Sequence, residues 1–180
     1  VDELGLGSLR DSMANQLFPG ISTIQTRAKY FFIVPYILYE FQQLANKGQA
    51  RGKSATKYLE QREYEIMWQL ADLYRGIKNS GVIGATKHKP QKVVRRPSAI
   101  YWNGLNVYKM LDSGGLSAEV FLRKAVKGEF ESLLSQLTPT DEATDDADAT
   151  HDNLFHLKVF PPHNWDKDIN LDLSHEEAEL

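Results

Sequence analysis

The sequence predicts a mainly α fold: an irregular helical domain with a helix-turn-helix-like αα-hairpin near its start and at most a short strand pair. Three observations carry this. Apolar residues recur at helical spacing in four or five segments of the 180 residues. Capping residues and Gly or Pro stops bracket those segments. Only Leu154 to Phe160 alternates in the manner of a strand.

The elements follow in order. Asp11 to Phe18 carries Met13, Ala14 and Leu17 at helical spacing, and Pro19-Gly20 stops it. Ser22-Thr23 then offers an N-cap for a main core helix from Ile24 to about Leu44. Ile24, Ala28, Phe31, Phe32, Tyr36, Tyr39 and Leu44 are available to bury along it. Pro35 should kink or split this helix, because it removes a backbone donor and clashes one turn back. Ser54 or Thr56 caps the next helix, which runs to about Arg75. Its Tyr58, Met67, Leu70, Ala71 and Tyr74 face the core, while Glu60, Arg62, Glu63 and Glu65 fall near the exposed side. A basic linker covers Thr86 to Pro97. Ala99 to Leu111 is helical despite Gly104, and Ser117 precedes a helix from Glu119 to about Leu134. Ser174-His175-Glu176-Glu177 has the form of a helix start with acids in its first turn.

Domain organisation follows. Residues 1–137 form a helical domain. Residues 138–152, poor in apolar groups and rich in Asp, Ala and Thr, form a flexible acidic loop. Residues 153–180 form an extended C-terminal segment that packs back on the domain. Val1 in place of Met, with a helix barely begun at the end, predicts a piece of a longer protein or a processed chain.

Composition narrows the function classes. Apolar residues make up 42% and charged residues 25%, as in an ordinary globular domain. No apolar run approaches the length of a bilayer span, and no signal-peptide pattern opens the chain, so a cytoplasmic location without a membrane partner is expected. The absence of cysteine excludes disulfides, thiolate zinc sites, iron–sulfur ligation and thiol nucleophiles. Charge is unevenly spread. Residues 1–100 hold fifteen Lys and Arg against eight Asp and Glu, and residues 101–180 hold six against sixteen, giving about +7 and −10. Such halves fit a basic nucleic-acid face beside an acidic tail; they also fit two halves that attract each other.

No motif specifies a reaction. Gly5-Leu6-Gly7 lacks the third glycine and flanking strand of a dinucleotide fingerprint, and it reads as a turn before a helix. His88, His151, His156, His163 and His175 form no metal-ligand pair, and no Gly-x-Ser-x-Gly elbow exists. No metal, no cofactor and no catalytic residue are expected.

Two segments carry more. A turn at Pro19-Gly20 followed by Gln25, Thr26, Arg27 and Lys29 at a helix start suits a helix-turn-helix, whose polar N-terminus meets phosphates and base edges. The alternative is an αα-hairpin whose Arg27 and Lys29 are solvated or paired internally. Arg95 and Arg96 followed by Tyr101-Trp102 suit phosphate contact, with Trp102 stacking on a base. The alternative is that both aromatics pack inside. Arg27, Lys29, Arg95, Arg96 and Trp102 are therefore the candidate nucleic-acid-binding residues.

These segments, with Asp2-Glu3-Leu4-Gly5-Leu6-Gly7-Ser8-Leu9-Arg10-Asp11, Phe18-Pro19-Gly20, Thr26-Arg27-Ala28-Lys29-Tyr30 and Arg96-Pro97-Ser98-Ala99-Ile100-Tyr101-Trp102-Asn103-Gly104-Leu105, resemble a bacterial family, domain of unknown function 6361. The resemblance spans most of residues 2–180 and implies a chain longer at both ends. It brings no activity, ligand or catalytic residue. Members sit near helicase and nuclease genes in phage-defence regions, which implies a nucleic-acid-associated accessory module with helicase or nuclease proteins as partners. The other reading is a protein–protein scaffold. A continuous basic face containing Arg27, Lys29, Arg95 and Arg96 favours the first, and a broad exposed apolar patch favours the second.

Overall fold

The computed structural model describes residues 6–50, 52–126, 155 and 157–180. Six helices run through them: α1 (Leu6–Leu17), α2 (Tyr30–Asn46), α3 (Ala55–Leu73), α4 (Pro97–Val107), α5 (Ala118–Val126) and α6 (His175–Ala178). The fold is mainly α, and no strand occurs among the described residues. The alternating stretch near Leu157 contributes one isolated antiparallel bridge to Leu111. The acidic loop expected at 138–152 lies outside the described residues.

α2 is the centre of the core. Tyr30, Ile33, Val34, Ile37, Leu38 and Phe41 are each at most 1% exposed, and each such side chain contributes roughly 1.5–3 kcal/mol on burial. Pro35 lies inside α2 without splitting it. α3 packs alongside, with Ser54 as its N-cap accepting from the Lys57 N–H at 3.4 Å. It turns Leu59, Ile66, Met67 and Leu70 inward at helical spacing. α4 begins with Pro97, a position where the missing N–H costs nothing. It buries Tyr101 and Leu105, four residues apart, against α2.

The residues after 155 close over this layer. Phe155 and Leu157 are buried, and the Lys158 N–H donates to the Met110 carbonyl at 3.1 Å. Glu40 accepts both Arg62 Nε and an Arg62 terminal nitrogen, at 2.9 and 3.0 Å. The same guanidinium reaches Asp166 at 2.9 Å, and Trp165 Nε1 donates to Glu40 at 3.1 Å. α6 carries a full capping box between Ser174 and Glu177.

Several sequence expectations need correction. The core helix begins at Tyr30 and not at Ile24. Gln25 accepts from the Ser22 N–H at 3.2 Å and donates to the Gly20 carbonyl at 3.0 Å, so local turns satisfy this backbone and Ser22-Thr23 cap no helix. Residues 18–29 therefore form a connection much longer than the tight turn of a helix-turn-helix. Glu63 is buried at 1% exposure instead of facing solvent. Ile24, read as core, is 43% exposed.

Candidate interaction surfaces

Four of the five nominated residues, Arg27, Lys29, Arg96 and Trp102, bond within the fold. Arg27 Nε donates to the Ser80 carbonyl at 2.8 Å, and the N–H groups of Thr26 and Arg27 both reach the Tyr101 hydroxyl, at 2.8 and 3.1 Å. Lys29 places its ammonium 2.7 and 2.6 Å from the two Glu177 oxygens, and the Tyr36 hydroxyl donates to the same carboxylate at 2.9 Å. Partial burial pushes the Glu177 carboxyl up, but the bonds from Lys29, Ser174 and Tyr36 outweigh it and hold it below the usual range. Trp102 donates to the Leu116 carbonyl at 2.8 Å and sets its ring 5.6 Å from Phe121.

Arg96 is tied more deeply. It donates to Glu63 at 2.7 Å, and the same carboxylate accepts the Ser98 N–H at 2.5 Å and the Ser98 hydroxyl at 3.0 Å. Burial pushes the Glu63 carboxyl up to about 7, against the lowering effect of Ser98 and Arg96. Arg95 is exposed, and no ion pair involves it among the described residues. The sequence named the cations correctly as basic, but pairing depends on partners up to 148 residues away, which no local pattern shows.

α1 presents an apolar surface. Leu6, Leu9, Met13 and Leu17 lie on one helical face and are 60%, 57%, 54% and 68% exposed. Phe18, Ile21 and Ile24 continue the exposed apolar run into the connection. This run is fixed within the connection by Gly20, which has φ +82°. A Cβ there would stand 3.0 Å from Val107 Cβ and 3.1 Å from the Gly104 backbone. Gln25 locks the same point by donating to Gly20. The helical spacing of Met13 and Leu17 was legible in the sequence; that the stripe is left uncovered was not.

A family model described as a family of unknown function (DUF6361) matches residues 1–134, a span that takes in α1 to α5. The chain belongs to that family. No curated protein and no solved structure matches it.

A second surface within the family span is a cleft of about 450 Å³ between α3 and the basic segment that precedes α4. Tyr64 and Trp68, one helical turn apart, stack with ring centroids 5.8 Å apart and planes at 23°. Trp68 Nε1 donates to the Gln91 carbonyl at 2.9 Å, and the Tyr64 hydroxyl reaches the Val93 carbonyl at 3.4 Å. Lys89 and Lys92 hold their ammonium groups 5.8 Å and 5.0 Å from the Trp68 and Tyr64 ring centroids. Lys92 also donates to Glu60 at 3.1 Å, a bond that lowers the Glu60 carboxyl. Sequence reading placed Lys87, Lys89 and Lys92 in a linker and did not join them to Trp68. The spacing of Tyr64 and Trp68 was the available signal. Among the described residues no group of three or more His, Asp or Glu side chains is arranged to hold a metal ion, and no helix is long and apolar enough to cross a membrane.

Proposed function

We propose that the chain is an accessory interaction module that docks onto a partner protein through α1. The observation that supports this is the uncovered stripe of Leu6, Leu9, Met13 and Leu17, each more than half exposed. A monomer rarely leaves a contiguous apolar helix face in water, because each exposed side chain forfeits roughly 1.5–3 kcal/mol of burial. The chemistry points to protein. α1 contains one cation, Arg10, and one acid, Asp11. A helix made for anionic membrane surfaces has a lysine- or arginine-rich polar face instead. The partner surface is accordingly apolar and near neutral. Helicase or nuclease proteins are the partners that the family resemblance implies.

The nucleic-acid reading draws little from the five residues first nominated for it, since Lys29 and Arg96 lie in ion pairs with Glu177 and Glu63. A steep salt dependence needs cations free to displace counterions from phosphates.

The docking role is tested by a photo-crosslinking side chain at Met13, with Lys53 as an exposed control, in the full-length protein in its own cell. A discrete protein adduct should form from position 13, should be absent from position 53, and should vanish when Leu9→Asp and Leu17→Asp are added. Those two changes should leave the melting temperature unchanged, because neither side chain belongs to the core. No adduct above the control overturns the reading.

A further inference from the structure

We propose that the cleft between α3 and the basic segment before α4 binds single-stranded nucleic acid, with a base stacked on Trp68 and phosphates held by Lys57, Lys89 and Lys92. This site goes beyond the docking role of α1 and stands or falls apart from it.

The rings are built to offer faces rather than edges. The polar edge of Trp68 is fixed on the Gln91 carbonyl and that of Tyr64 points to the Val93 carbonyl, so both rings are held in place before anything binds. The Tyr64 ring, 7% exposed, stacks on the partly exposed Trp68 ring at 5.8 Å and 23° and supports it from within. A base laid on it loses little side-chain entropy, and every base has a π-face, so the contact is tolerant of sequence. A duplex keeps its bases stacked internally and cannot use such a surface.

The charges around the cleft agree. Lys57, Lys89 and Lys92 line it, with Glu60 and Glu65 as the opposing acids. Glu65 already accepts from Arg62 at 2.8 Å and Gln61 at 2.9 Å, and Glu60 from Lys92. Partial burial pushes the Glu65 carboxyl up, but the bonds from Arg62 and Gln61 outweigh it and keep it ionised against its cation. Lys57 and Lys89 have no ion-pair partner among the described residues. Exposed Arg95 extends the positive charge along the chain beyond the cleft, which favours a strand over a single nucleotide. Lys89 and Lys92 now rest over the ring faces. An entering base takes their place, and the two ammonium groups swing outward to the flanking phosphates. The volume of about 450 Å³ accommodates one nucleotide unit.

The test is fluorescence anisotropy of a labelled oligodeoxythymidylate of roughly 15 nucleotides, within the span single-strand sites cover, and of a duplex of equal length, across a salt series from about 50 mM. The whole chain is used. The wild type should prefer the single strand. Trp68→Ala should weaken single-strand binding roughly five- to 150-fold. Trp68→Phe keeps a stacking face while losing the bond to Gln91, and should retain most of the affinity. Lys57→Glu with Lys89→Glu should keep the melting temperature and flatten the log–log salt slope by roughly 1.4. The proposal is overturned by absence of binding at low salt, by a preference for duplex, by Trp68→Phe behaving as Trp68→Ala, or by a salt slope that the double lysine variant leaves unchanged. Loss of the α1 crosslink with oligonucleotide binding intact would sink the docking role alone.

Discussion

Arg96 sets its guanidinium 2.7 Å from the Glu63 carboxylate, and that carboxylate is 0% exposed. The pair joins the start of α4 to the middle of α3. Glu63 also holds the first turn of α4 through the Ser98 N–H and hydroxyl. One acid thus does the work of an N-cap for a helix that has no capping side chain of its own.

Arg96→Ala leaves that acid buried beside Ser98 without its cation. Arg96 is 26% exposed and Glu63 can take up a proton near neutral pH, so the loss should be about 1–3 kcal/mol, that of a buried acceptor deprived of a partner. Arg95→Ala, next to it and exposed, should stay within about 0.5 kcal/mol. Urea unfolding of the two variants at neutral pH checks the contrast. Equal loss from both would show that the Glu63 contact contributes nothing.

The same acid makes stability depend on pH. Burial raises Glu63 from 4.5 to about 7, so the folded state favours its protonated form. Its contribution is complete below the unfolded value and is lost as pH rises through about 7, up to ~3 kcal/mol in all. Glu65 and Glu177 are shifted the other way and lose their contribution only as pH falls through the ordinary carboxylate range. Urea midpoints should therefore fall between about pH 5 and pH 8. Glu63→Gln should flatten that limb, and an unchanged slope in that variant would refute the assignment.

Gly104 sits where α4 crosses the connection after α1. A Cβ there would stand 2.5 Å from Phe31 Cε1 and 2.6 Å from the Gly20 carbonyl oxygen, and the second neighbour is backbone. Gly104→Ala should destabilise by about 1–3 kcal/mol through overpacking, although alanine is the better helix former. A thermal melt at or above wild type would contradict the close approach.

Two tryptophans should separate stability from binding. Trp102 packs on Phe121 and bonds to Leu116, so Trp102→Ala should destabilise by about 3 kcal/mol, the low end for a buried aromatic. Once the protein is folded, its oligonucleotide affinity should match wild type. Trp68→Ala should show the reverse balance. Paired melting and anisotropy measurements on both variants decide this.

The helices were legible because α2, α3 and α4 carry their apolar residues at helical spacing, and α3 and α4 start on Ser54 and Pro97. Ser54 and Ser174 were readable as caps for the same reason. The start of α2 was not, because Gln25 and Tyr101 satisfy the backbone of 20–27 through bonds that a window of sequence does not contain. The burial of Glu63 was hidden likewise: an acid among Arg62, Glu60 and Glu65 has the look of a solvated face until Arg96 and Ser98 arrive from more than thirty residues on. The sequence leaves Trp102 two fates, stacking on a base or packing inside, and it packs on Phe121. The cleft at Trp68 was missed because its two walls belong to different segments.

The bond between Lys29 and Glu177 also sets an order of events in the making of the protein. The two residues are 148 apart in the chain. At ordinary rates of synthesis, roughly 7 to 30 seconds pass between the addition of one and the other. Through that interval the nascent chain carries the lysine ammonium and the Tyr36 hydroxyl without the carboxylate that later joins them. The corner at the start of the central helix is begun with residue 29 and completed only with residue 177.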